Sequence, residues 1–109
     1  MNEDYVRDIL DSLLKIQSYT AAGREVFMSS DQCQDAVIRR IEIIGEATKR
    51  LDKNFTTQYP DVPWKDMAGM RDKLIHGYVG VDLARVWETV EKDLPVLRKR
   101  LAAILERKG

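Results

Sequence analysis

The sequence predicts an all-α fold, a four-helix up-down bundle with an irregular connection at about 52–62 and a bent C-terminal helix. Three observations carry that expectation. Apolar residues recur at helical spacing over long stretches, the stretches are separated by short glycine- or proline-marked links, and nothing repeats or is low in complexity. At 109 residues, with 44% hydrophobic and 33% charged, the chain reads as one domain, 1–109, with a modest core.

Each element follows from local signals. Asn2 is placed to cap a first helix, whose stripe runs Tyr5, Ile9, Leu13, Ile16 and Thr20 until Gly23. Ser29-x-x-Gln32 reads as a capping box opening a second helix. Its buried side is Cys33, Ala36, Val37, Ile41, Ile44, Ala47, Thr48 and Leu51. Arg40 falls near the centre of that stripe, as a snorkelling cation or as a phosphate contact. Gly45 suggests a close helix approach, and Glu42, Glu46, Lys49 and Arg50 read as a solvated face with i,i+4 pairing. Tyr59-Pro60 forces an extended step, and Pro63 suits the first turn of a third helix. Asp82 is an N-cap for the last helix, striped by Leu83, Val86, Trp87, Val90, Leu94, Leu97, Leu101, Ile104 and Leu105. Pro95 should bend it near Glu91–Leu94, and its cationic end, Arg98 to Lys108, offsets the helix dipole or extends a nucleic-acid surface.

Composition narrows the function. No stretch approaches the ~20 apolar residues of a membrane span and no leader is visible, so a cytoplasmic protein is expected. The single cysteine, Cys33, excludes an intrachain disulfide and reads as a structural thiol. With one histidine and one cysteine no zinc site is expected in a monomer, and no cofactor is implied. Net charge is zero, so a nucleic-acid partner would need a local basic patch.

The chemistry concentrates in residues 63–78, PWKDMAGMRDKLIHGY, which hold the only histidine, His76. On a wheel of about 100° per residue centred on Met67, Arg71 falls at about 40°, inside the apolar stripe with Trp64, Met70, Leu74 and Ile75. A continued helix would point His76 to about 180°, away from Arg71. The two side chains can therefore cooperate only if the helix turns at Ile75–Gly77 or if they converge across a subunit boundary. Trp64 and Trp87 read as core, with base stacking as the alternative.

The pattern Arg71-x4-His76-x-Tyr78, with Asp72 directly after the arginine, resembles the signature of the HEPN superfamily. More narrowly, the chain resembles HepT-type toxins, and the likeness runs through FMSS, RRIEIIGEATKRL, VPW and VWETVEKDLPVL. That resemblance implies the toxin of a type VII-like toxin–antitoxin pair, a metal-independent endoribonuclease acting as a homodimer with a composite site. It implies His76 as the proton-transfer group and Arg71 as the phosphate clamp, supported by Asp72 and Arg40. It also implies that a cognate nucleotidyltransferase antitoxin silences the toxin by AMPylation of Tyr78. Two other readings remain open at this point: a non-catalytic helical module that binds a nucleotidyltransferase or a nucleotide, and a purely structural dimerisation bundle.

Overall fold

The computed structural model describes residues 1–75 and 80–108, the side chains of the last helix through Arg107. His76 and Tyr78 lie outside the described residues. The described chain is helical, with one isolated antiparallel bridge between Ile75 and Val81. In order the helices are α1 (Asn2–Tyr19), α2 (Arg24–Ser29), α3 (Asp31–Lys49), α4 (Lys53–Thr57), α5 (Trp64–Ala68), α6 (Met70–Leu74), α7 (Leu83–Glu88) and α8 (Leu94–Lys108). A π turn, Thr89–Asp93, joins α7 directly to α8. Among the described residues no helix is long and apolar enough to cross a membrane.

The long stripes form the core as their periodicity requires. Ile9, Leu13 and Ile16 of α1, Val37, Ile41 and Ile44 of α3, and Leu94, Leu97, Leu101 and Ile104 of α8 are all buried. α3 is the central element: it packs on α1, on α2, and on both α5 and α6, while α8 closes against α1. Asp82 caps α7 as expected, its carboxylate accepting from the Arg85 amide at 3.1 Å.

Four local expectations are corrected. Met1, not Asn2, is the N-cap of α1, and the Asn2 amide instead joins Asp52 on the α3–α4 link through two 3.2 Å hydrogen bonds. Ser30, not Ser29, caps α3: its hydroxyl accepts from the Cys33 amide at 3.1 Å. Ser29 belongs to α2, where its hydroxyl donates to the Glu25 carbonyl one turn back. The connection at 52–62 is not wholly irregular, because α4 forms within it. Phe55 drives that turn, burying its ring at 5.2 Å from Tyr59 and 6.1 Å from Trp64. The third helix is not continuous either, since it breaks at Gly69 into α5 and α6.

The irregularity expected around Pro95 takes the form of the π turn. Val86, Val90 and Leu94 are spaced four and four, and each step of four overshoots a 3.6-residue turn by ~40°. A wider turn keeps all three on the buried side, and it falls where a proline removes an intrahelical donor.

Gly45 marks the close approach of α3 to α5 that its position suggested. A Cβ built there would meet the Ala68 carbonyl oxygen at 3.5 Å and that of Met67 at 3.9 Å. That is ordinary contact for a methyl group and leaves no room for more. Gly45→Ala is therefore expected to raise the thermal midpoint, since alanine gains up to about 1 kcal/mol of helix propensity. Gly45→Leu is expected to lower it by forcing α5 off α3. Thermal unfolding of both variants checks the pair.

Candidate active site

The site is built where α6 ends. Ile75 is extended (φ −120°, ψ 117°), and its amide still donates to the Arg71 carbonyl at 2.8 Å. The chain returns at Gly80, whose φ of 102° is a backbone conformation that side-chain-bearing residues rarely adopt. Val81 then pairs with Ile75, and the Asp82 amide donates to the Leu74 carbonyl at 3.1 Å. α6 thus ends at Leu74, with Ile75 already extended.

Arg71 does not lie inside the apolar stripe. Its side chain is 49% exposed and reaches across to α3, while Met67, Met70 and Leu74 keep the buried face. Nor is its charge unpaired. Nε donates to Glu42 Oε2 on α3 at 3.3 Å, and Nη1 lies 3.6 Å from Oδ1 of the neighbouring Asp72. Glu42 also meets Arg39, whose Nη1 is 3.9 Å from Oε1. Two cations and two carboxylates therefore meet at the α3–α6 contact, with balanced charge. The i,i+4 ion pairs expected along the outer face of α3 do not form among the described residues; Glu42 turns instead to Arg39 and Arg71.

Sequence reasoning passed over Glu42, because a helical wheel treats one helix at a time and this contact joins residues 29 apart in sequence. The available signal was indirect: an arginine at a semi-buried position needs an acid on whatever packs against it. Arg40 is half-buried and makes no hydrogen bond or ion pair among the described residues. Two positions from Glu42, it points about 160° away from it around α3, so this protomer does not bring Arg40 to Arg71.

The two tryptophans take their core reading. Trp64 Nε1 donates to the carbonyls of Tyr59 (3.0 Å) and Thr56 (3.1 Å), and the Trp87 ring lies 5.6 Å from Phe27. Cys33 is half-buried with its thiol donating to the Tyr19 carbonyl at 3.3 Å, and burial pushes the thiol pKa up.

Beside α6 a cleft of about 390 Å³ opens between α5–α6 and α7–α8. Met67, Met70 and Leu97 form part of its floor, and Lys73, Arg85 and Lys92 stand on its rim. Lys73 is paired with Asp66 at 3.4 Å, whereas Arg85 and Lys92 form no ion pair among the described residues. Among those residues, no three of His, Cys, Asp and Glu converge as a metal site would need.

A family model described as Ribonuclease HepT-like matches residues 9–104, which takes in every helix on which the site is built. The chain belongs to the HepT-like family. It is 44% identical over 101 residues to a probable ribonuclease HepT of Thermococcus cleftensis, covering 89% of each chain. A relative in Methanocaldococcus jannaschii, named a candidate RNase, is 41% identical over 103 residues, covering 94% of this chain and 89% of its own. Another protein of that organism is named a gamma-glutamylcyclotransferase and candidate RNase. It is 50% identical over 103 residues, but this chain spans only 46% of its length, so the match concerns one part of a larger protein. No solved structure matches the chain.

Proposed function

We propose that this HepT-like protein is a metal-independent endoribonuclease, the toxin of a type VII-like toxin–antitoxin pair. The observation that carries the reading is Arg71, anchored and half-exposed on the last full turn before His76, in a chain whose relatives are named as ribonucleases. RNA brings its own nucleophile. His76 accepts the proton of a 2′-hydroxyl as its oxygen attacks the adjacent phosphorus, and the bond to the 5′-oxygen breaks. Arg71 holds the phosphate and offsets the charge that develops on it. A second imidazole protonates the departing 5′-oxygen, leaving a 2′,3′-cyclic phosphate and a 5′-hydroxyl.

One histidine per chain supplies one proton-transfer group, and cleavage needs two. A homodimer that joins two His76 and two Arg71 in one composite site meets that need. Asp72 trims the charge on Arg71, and Arg40, which has no acidic partner among the described residues, is free to contact the RNA backbone.

The test is RNA incubated with purified protein in EDTA, with light scattering on the same sample. Cleavage that persists in chelator, with products carrying cyclic phosphate ends and a particle of twice 12.6 kDa, is the expected result. Intact RNA throughout favours the second reading, a non-catalytic module that binds a nucleotidyltransferase or a nucleotide. A 12.6 kDa particle that still cleaves removes the composite site.

A further inference from the structure

We infer that Glu42 is a positioning residue for the reaction: it grips Arg71 by Nε and so aims the free edge of the guanidinium at the phosphate. The inference rests on the ribonuclease reading above and adds to it a residue on a different helix.

A guanidinium presents its donors in a rigid fork, so fixing one edge fixes the direction of the other. Glu42 takes the Nε edge at 3.3 Å. Asp72, at 3.6 Å from Nη1, is beyond normal hydrogen-bond length and does not occupy that donor. The outer Nη1–Nη2 edge therefore stays available for two phosphate oxygens. Arg39, 3.9 Å from the other Glu42 oxygen, offsets the carboxylate's charge, so the four groups together carry no net charge against an arriving phosphate.

The location of the anchor matters as much as its charge. Glu42 stands in the middle of α3, the helix on which both α5 and α6 pack. α6 is only Met70–Leu74, too short to hold a long side chain by packing alone. The pair is also a poor candidate for a purely structural bridge. With side chains 49% and 33% exposed, it contributes little to stability. Its effect falls on where the guanidinium points.

The experiment compares Glu42→Ala with Glu42→Gln in single-turnover RNA cleavage. In parallel, the Nε–H of Arg71 is followed by NMR in 15N-labelled protein, its signal assigned by its loss in Arg71→Lys. Glu42→Ala should cleave about 100-fold more slowly at saturating RNA, the scale of a misaligned contact, with its thermal midpoint little changed. Glu42→Gln should recover to within about tenfold of wild type, because its amide oxygen still accepts from Nε. The Nε–H should exchange slowly in wild type and Glu42→Gln and quickly in Glu42→Ala. Undiminished cleavage by Glu42→Ala beside an active wild type overturns this inference alone. So does a Glu42→Gln as slow as Glu42→Ala with its Nε–H still protected, since that would make the carboxylate a reacting group. A wild type that cleaves no RNA overturns the ribonuclease reading, and this one falls with it.

Discussion

His76→Ala is expected to lose 10²–10⁴-fold in cleavage rate, the usual range for removing a positioned acid–base group. The imidazole ordinarily titrates near pH 6.5, so it alone among the side chains of this sequence exchanges a proton readily at neutral pH. In a composite dimer the loss is doubled in kind, since one substitution removes both the base and the acid. Circular dichroism and light scattering should be unchanged, because a proton-transfer group acts on the reaction and not on the fold. Arg71→Ala should lose comparably. Arg71→Lys should rescue little, because an ammonium keeps the charge but gives up both the Nε contact to Glu42 and the forked grip on phosphate. His76→Ala cleaving at the wild-type rate would end the mechanism.

Tyr78→Phe is expected to keep ribonuclease activity and escape its control. In AMPylation the phenolic oxygen attacks the α-phosphorus of ATP, pyrophosphate leaves, and the hydroxyl proton is lost. The adduct places an anionic phosphate and a bulky base seven residues from Arg71, where they compete for the contact that RNA needs. Silencing then needs no refolding. Co-expression with a cognate nucleotidyltransferase, followed by intact-mass measurement, decides the matter. The wild-type protein should gain AMP units and Tyr78→Phe none. If Tyr78 served only as a hydrogen-bonded phenol, its loss would instead cost about 1 kcal/mol of stability and leave the adduct in place.

Much of the fold was legible because α1, α3 and α8 bury continuous stripes, and periodicity reports burial when a helix runs unbroken. The same logic failed where helices are short. α4 was read as part of an irregular link, although the Phe55–Tyr59 spacing of four carried its signal. The exposure of Arg71 was misjudged because a wheel gives the direction of a side chain's root and not where a long, flexible side chain ends. Ser29 was read as the cap of α3, and the structure gives that place to Ser30 because α2 extends through Ser29. At the site, Arg71 and Asp72 were singled out by a local pattern. Glu42 was not, because tertiary partners leave no local pattern to find.

The π turn at Thr89–Asp93 also bears on how this chain can change length. It holds one residue more than a regular helix needs to span the same rise. Losing a single residue there would let the segment relax into ordinary α-helix, with Val86 and Leu97 still facing inward. Losing one from the middle of α8, between Leu97 and Leu101, would rotate the residues beyond it by about 100° and take Leu101 and Ile104 off the buried side. The turn is slack stored in the helix, a point where the gene can lose a codon without disturbing the rest of the fold.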